Sequence, residues 1–327
     1  MKIAIVGCGA LGSYYGACLA RAGHDVHFLL RSDLETVRHR GVEVLSPNGD
    51  FHVHPNAAAT PEEIGPCDLV VIGLKTTANH EFPRLLPPLV EIGTAVLTLQ
   101  NGLGNEEALS TVLREDQILG GLCFVCINRV APGIIRHIAH GRILLGEYGR
   151  PAGDRTRLIA ATFEAAGVPC DVTDTLAEAH WLKLVWNIPF NGLGVASAAG
   201  LEAVEAGRLA DGLPLSECWS SDRLLENPAW EWWVRRLMGE VIATTRALGH
   251  TVPKDYVQYQ IDRTREMGPY FASTIVDFME RRPLELDSLF LEPWRQAQEC
   301  GVSTPALASL CGVLSDLARL MDKKVGR

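Results

Sequence analysis

The chain has 327 residues, 47% of them hydrophobic and 21% charged, the make-up of a soluble globular protein long enough for two hydrophobic cores. A net charge of −9 excludes a phosphate-backbone partner, which demands a basic face, so no nucleic acid is expected. Nine scattered cysteines, an odd number, make no disulfide framework, and no run is apolar for long enough to span a membrane.

The first residues enter a strand directly and leave no room for a signal peptide, which predicts a cytoplasmic chain. Ile3–Val6 is a short, β-branched apolar run of the kind buried on both faces of a parallel sheet. It continues into Gly7-Cys8-Gly9-Ala10-Leu11-Gly12, the G-x-G-x-x-G spacing. In that spacing the first glycine allows the turn out of the strand, the second lets backbone approach a pyrophosphate, and the third lets the following helix pack closely on the sheet. A helical stretch over Leu11–Ala22, closed by Gly23, and a second buried strand over Asp25–Leu30 complete a β-α-β frame. The helix start offers unpaired N–H groups and a positive dipole end to phosphate. Gly7, Cys8, Gly9, Ala10, Leu11 and Gly12 are therefore expected to bind a dinucleotide.

The second strand ends at Arg31. A free ribose 2′-hydroxyl is normally held at this point by Asp or Glu, whereas a 2′-phosphate needs a cation, and a guanidinium fork suits phosphate oxygens. Arg31 thus predicts NADPH over NADH. In the competing reading Arg31 is a solvated loop charge, and Asp33 or Glu35 takes the ribose.

A short helix follows, then Val42–Leu45 and Phe51–His54 around Asn48-Gly49, which suggests a hairpin. Asp68–Leu74 is a third buried strand ending at Lys75, either a ribose or phosphate contact or a rim lysine. Thr94–Leu99 leads to Gln100-Asn101-Gly102 and a helix from about Asn105; Asn101 reads as a ligand contact at a strand's carboxyl edge or as turn chemistry. Ile118–Asn128, Ile134–Ile138 and Ile143–Leu145 extend the β-rich pattern. Cys123 and Cys126 form a C-x-x-C inside it without a second ligand pair, so buried reduced thiols are expected and no metal. Asp154–Ala166 reads as a helix and Pro169–Val172 as the last strand.

Beyond Thr173 the periodicity is helical. Thr173 or Asp174 can cap a long helix, and Asn227-Pro228 opens another over Ala229–Leu248. More helices are expected from Pro253, near Ser273, across Leu284–Cys300 and from Pro305 onward. The fold class is α/β: a Rossmann-type doubly wound sheet over 1–173, followed by a mainly α-helical domain over 174–327 expected to close over the nicotinamide end of the cofactor. Trp219, Trp230, Trp232 and Trp233 fit a homodimer contact and core packing equally well.

Within Ala179–Asn191 nearly every residue is apolar except His180, Lys183, Asn187 and Asn191. Lys183, Asn187 and Asn191 lie four apart, which stacks them on one helical face. A buried lysine needs a partner, and burial lowers its pKa toward the range useful for proton transfer; alternatively Lys183 snorkels to water. Pro189 removes the hydrogen bond to Val185 and is expected to kink this helix, which makes Asn191 the least secure member.

Taken together, Gly-Cys-Gly-Ala-Leu-Gly, Arg31, Lys75, Gln-Asn-Gly at 100–102 and Trp-x-Lys-x-x-x-Asn at 181–187 resemble the ketopantoate reductase (2-dehydropantoate 2-reductase) family over most of the chain. The resemblance implies an NADPH-dependent oxidoreductase of pantothenate biosynthesis that reduces a small 2-oxo acid, ketopantoate foremost. It implies Lys183 as the general acid, Glu285 near the nicotinamide ribose and substrate, Asn101 on the cofactor, and Asn187, Asn191 and Ser273 on the substrate. There are departures: Phe290-Leu291 stands where the family has Asn-Gly, Cys123-Phe124-Val125-Cys126 replaces a histidine-containing strand, Tyr270 replaces an asparagine, and 196–221 reads as an insertion. These motivate two rivals: a relative acting on a different 2-oxo acid, a 3-hydroxy acid or an imine, and a non-catalytic NADP(H) sensor.

Overall fold

The computed structural model describes residues 1–325. The chain divides into two compact units, Met1–Leu176 and Ala177–Arg327.

In the first unit the elements run β1 (Lys2–Val6), α1 (Ala10–Arg21), β2 (Asp25–Leu29), α2 (Leu34–Arg40), β3 (Val42–Leu45), β4 (Phe51–Val53), β5 (Asn56–Ala58), α3 (Pro61–Ile64), β6 (Leu69–Ile72), α4 (Phe82–Leu85), β7 (Ala95–Thr98), α5 (Asn105–Ser110), β8 (Ile118–Ala131), β9 (Ile134–Glu147), α6 (Asp154–Ala165) and β10 (Cys170–Val172). They build one sheet in the order β4-β3-β9-β8-β7-β6-β1-β2-β5, with β10 alongside β9. From β5 through β2, β1, β6 and β7 to β8 every pairing is parallel. This is the doubly wound order, and chain direction across the sheet reverses between β1 and β6, where ligands of such sheets bind. Strand alternation splits the apolar residues: Ile3, Ile5, Val71 and Leu97 face one core with Tyr15, Leu19 and Phe163. Ala4, Val6, Ile72 and Val96 face a second core with Phe82, Leu86 and Leu109. Burial on both faces is why β1 reads as a continuous apolar run.

Two departures from the expected strands have their causes in strand pairing. Ile134–Ile138 and Ile143–Leu145 are one strand, β9, and the break between them is an irregularity at which His140 and Gly141 take φ of 65° and 125° opposite a register shift at Phe124/Val125. The short β5, Asn-Ala-Ala, carries no strand propensity of its own and is extended only because β2 pairs with it. Asn48-Gly49 does join an antiparallel pair, β3 and β4. Cys123 and Cys126 are buried, and all nine cysteines are free thiols.

The second unit is helical: α7 (Leu176–Ala196), whose first residue lies in the preceding unit, α8 (Leu201–Ala206), α9 (Ser221–Glu226), α10 (Pro228–Ala247), α11 (Tyr256–Met267), α12 (Ser273–Met279), α13 (Glu292–Glu299) and α14 (Pro305–Val325). Asn227 caps α10 as expected, its side-chain oxygen accepting from the N–H groups of Ala229 and Trp230. The expected caps of α7 are engaged elsewhere: the Thr173 hydroxyl accepts the Thr175 N–H, and Asp174 accepts that of Ala152. Pro189 does not break α7, which continues to Ala196. Helices crowd it just beyond: a Cβ on Gly192 would come within 2.6 Å of Leu310, and one on Gly194 within 2.3 Å of Ile275. The helix expected across Leu284–Cys300 leaves Leu284 and Glu285 outside and passes through a π-helical turn, Asp287–Leu291, into α13.

The segment after α7 is tied down by the Ser197 hydroxyl, which accepts the Trp219 N–H at 2.8 Å, and by Asp316, which accepts that of Leu209. Trp219 packs on Trp230 with ring centroids 5.5 Å apart, and Trp233 is buried, while Trp232 is 58% exposed. Among the described residues no helix is long and apolar enough to cross a membrane, and no three metal-ligating side chains cluster.

Candidate functional site

The glycine loop after β1 is packed from beneath and open outward. Gly7 has φ of +99°, and a Cβ on it would lie 2.3 Å from the Leu74 nitrogen. A Cβ on Gly12 would lie 2.2 Å from the Gly7 carbonyl oxygen, and one on Gly73 2.9 Å from the same atom. Gly9 differs: among the described residues nothing lies within 4 Å of the position its Cβ would take. It is the N-cap of α1 and brings no side-chain cap to the first-turn N–H groups, which a helix start offers to an anion. The loop therefore fits a pyrophosphate. Close packing of α1 on the sheet belongs to Gly16, whose Cβ would strike Phe28 at 2.5 Å and Ile5 at 2.8 Å; Gly12 serves the loop itself first. The Cys8 thiol donates to the Ile5 carbonyl, and burial, reinforced by the charge of Asp33, pushes it well above the ordinary thiol range, leaving it uncharged.

Arg31, just past β2, is exposed. Asp33, the rival ribose ligand, is only 5% exposed and already engaged: one carboxylate oxygen accepts the Ser32 hydroxyl at 2.9 Å and an Arg129 Nη at 2.7 Å. Arg129 comes from β8, 96 residues away. Glu35 lies on α2 beside Arg38 at 3.4 Å.

Lys75 is exposed at the head of the 3-10 turn Thr76–Glu81, directly after β6. The loop after β7 is locked by amides: the Thr98 hydroxyl donates to Gln100 Oε1, Gln100 Nε2 to Asn79 Oδ1 at 2.7 Å, Asn79 Nδ2 to Asn105 Oδ1 at 3.1 Å, and Asn105 Nδ2 to the Asn101 carbonyl at 3.2 Å. Gly102 and Gly104 take φ of 89° and 83°. Asn101 is half-buried in this loop at the carboxyl edge of the parallel sheet. Asn79, inside the 3-10 turn, and Asn105, the first residue of α5, meet only in the folded chain, so nothing local marks them as partners.

In the second unit α7 carries Lys183, half-buried, and the buried Asn187 and Asn191. Asn191 Nδ2 donates to the Asn187 carbonyl at 3.0 Å, while its Oδ1 accepts the Thr274 N–H at 3.0 Å and the Ser273 hydroxyl at 3.5 Å. Asn191 thereby fastens the start of α12 to α7, and the structure brings Asn187, Asn191 and Ser273 together despite Pro189. Trp186 Nε1 donates to the Thr264 hydroxyl at 2.9 Å, which fixes α11 beside the same helix. Tyr270 lies 6.1 Å from the Trp186 ring, its carbonyl accepting the Ser221 N–H. Glu285 is buried immediately before the π-helical turn, its carbonyl accepting the Leu289 N–H. Phe290, standing where Asn-Gly was expected, is fully buried, 2.9 Å from where a Gly192 Cβ would be.

One unit carries an open glycine loop at a helix start, and in the other α7 carries Lys183 and two asparagines, of which Asn191 is tied to Ser273 and Thr274 of α12. Residues 3–150 match the family model described as ketopantoate reductase PanE/ApbA, and residues 215–318 match that of its C terminal. The chain belongs to the ketopantoate reductase family. It is 41% identical to a 2-dehydropantoate 2-reductase from Nostoc sp. (strain PCC 7120), over 94% of this chain and 92% of that protein. The crystal structure of a 2-dehydropantoate 2-reductase from Geobacter metallireducens GS-15 superposes with a TM-score of 0.88 at 42% identity, covering 98% of this chain and 99% of that one. One from Methylococcus capsulatus gives 0.85 at 30% identity, covering 100% and 98%. The ketopantoate reductase fold, a mixed sheet with a Rossmann-like order followed by a helical region, is the fold seen here.

Proposed function

We propose that this ketopantoate reductase family enzyme reduces 2-dehydropantoate to pantoate with NADPH, the 1–173 region binding the cofactor and the 174–327 region the substrate. The observation that carries the reading is the row Lys183, Asn187, Asn191, joined through Asn191 to Ser273. It supplies an acid for a carbonyl oxygen and neutral polar side chains for a carboxylate on a mostly apolar helix.

NADPH, when bound, supplies the hydride. Gly7 and Gly12 shape the loop, Gly9 leaves room for the pyrophosphate, Arg31 meets the 2′-phosphate, and Lys75 and Asn101 hold the ribose end. Lys183 donates a proton to the carbonyl oxygen as negative charge builds there, where a positioned acid contributes most. Asn187 hydrogen-bonds the substrate carboxylate, the Ser273 hydroxyl turns its one proton from Asn191 to that carboxylate when substrate binds, Asn191 keeps the start of α12 in place through the Thr274 N–H, and Glu285 orients the lysine or the substrate hydroxyl.

Lys183→Ala tests the reading. Turnover of 2-dehydropantoate is expected to fall by roughly 10²–10⁴-fold, the usual contribution of a general acid, while NADPH affinity holds; near-normal turnover refutes the assignment. The aromatic Tyr270 beside Trp186 favours a second reading, a different 2-oxo acid. NADPH oxidation across a panel of 2-oxo acids separates the two, and a wild-type protein that binds NADPH but turns over none of them is the sensor instead. The exposed Trp232 supports a homodimer, checked by solution mass with and without Trp232→Ala. Cytoplasmic residence completes the proposal, and cell fractionation tests it.

A further inference from the structure

The end of β2 holds two opposite instructions. Arg31 suits a phosphorylated ribose, while Asp33, two residues on, is the kind of acid that grips an unmodified ribose 2′-hydroxyl. Asp33 stands close enough to the glycine loop for its charge to act on Cys8. Left as an unpaired buried anion there, it would repel a 2′-phosphate carrying close to two negative charges, because a carboxylate removed from water is poorly screened.

The long β8 resolves the conflict. Arg129 reaches back across the sequence and donates to Asp33 at 2.7 Å, with the carboxylate 7% exposed and the guanidinium side chain 38% exposed. The same carboxylate oxygen takes the Ser32 hydroxyl at 2.9 Å. Paired in this way, the oxygen of Asp33 is committed to protein donors and its charge is offset locally.

We infer that Arg129 is a positioning residue for coenzyme choice: by pairing Asp33 it suppresses an NADH-type ribose site and leaves Arg31 to select the 2′-phosphate. The inference rests on the NADPH reading above. It concerns neither the acid nor the substrate groups of the second unit.

The experiment measures dissociation constants of NADPH and NADH by fluorescence titration for wild type, Arg129→Gln, Asp33→Asn and Arg129→Gln/Asp33→Asn, with melting temperatures alongside. The wild-type ratio comes first; a preference for NADH there defeats the NADPH reading itself, whatever the variants do. With NADPH preferred, Arg129→Gln is expected to weaken NADPH by roughly tenfold, as a newly uncompensated partly buried charge would, with NADH affinity held or improved. Removing the acid as well is expected to restore the NADPH constant to within about twofold of wild type, because the Coulomb cost disappears with the charge. A merely structural pair would lower both affinities together with the melting temperature, and that result overturns the inference. So does an unchanged ratio in Arg129→Gln, or a double variant as weak as the single one, which would mean that Arg129 touches the phosphate directly.

Discussion

Gly9→Ala separates folding from cofactor binding more cleanly than any other change in the glycine loop. Gly9 has φ −75° and ψ −156°, a backbone that alanine adopts without strain, and among the described residues nothing lies within 4 Å of the added methyl. Replacing an N-cap glycine by alanine costs about 0.5–1 kcal/mol, and the loss of unfolded-state freedom returns about 0.4–1 kcal/mol, so stability should hardly move. The methyl instead stands where the pyrophosphate must come closest. Losing one charge-assisted hydrogen bond from a backbone N–H to phosphate costs about 1.5–3 kcal/mol, or roughly 10- to 150-fold in affinity. Gly12→Ala provides the contrast, since its methyl would lie 2.2 Å from the Gly7 carbonyl oxygen and must disturb the fold itself. Thermal denaturation and NADPH fluorescence titration of both variants form the assay. An unchanged NADPH affinity in Gly9→Ala, or a melting temperature as depressed as that of Gly12→Ala, refutes the reasoning.

Two further predictions concern buried carboxylates. Glu240 of α10 accepts the N–H groups of Ala306 and Leu307 at 3.0 and 2.9 Å and pairs with Arg236, so it caps α14 from another helix. Glu240→Ala leaves two buried donors without an acceptor, about 2–5 kcal/mol, and calorimetry should show the melting temperature down by roughly 4–20 °C; an unchanged value rules out the cap. In the first unit burial alone would raise the Glu147 carboxyl, but hydrogen bonds from Thr156, Arg150 and Arg155 outweigh it and hold it below the usual carboxylate range. A lowered folded-state pKa stabilises fully above the unfolded value of about 4.3 and is lost as pH falls through the lowered one. Melting temperature should therefore drop more steeply below about pH 4.3 in wild type than in Glu147→Gln, and parallel acid profiles would exclude that role.

Much of this molecule could be read along the chain because the relevant physics is short-ranged. Turn, cradle and helix start all sit within Gly7–Gly12, an N-cap and its helix within Asn227–Trp230, and the Lys183–Asn187 row follows from helical spacing alone. Strand burial on both faces and the change from α/β to helical periodicity near residue 173 are likewise local patterns that composition preserves. What sequence could not supply depends on residues far apart that meet only after folding. Arg129 finds Asp33 across 96 positions, Asn191 reaches Thr274 across 83, and Ala306 finds Glu240 across 66. Nothing near Asp33 shows that its charge is already answered, and nothing near Pro189 shows that Asn191 is fastened to the start of α12. β5 is a strand only because β2 lies beside it, and β9 survives its irregularity at His140 because β8 pairs with it on both sides. Local sequence determined which backbone segments could form and which groups they carried. Tertiary packing decided which charges are paired and which amides are committed, since burial and partner distance, not residue type, set the energy of a polar group.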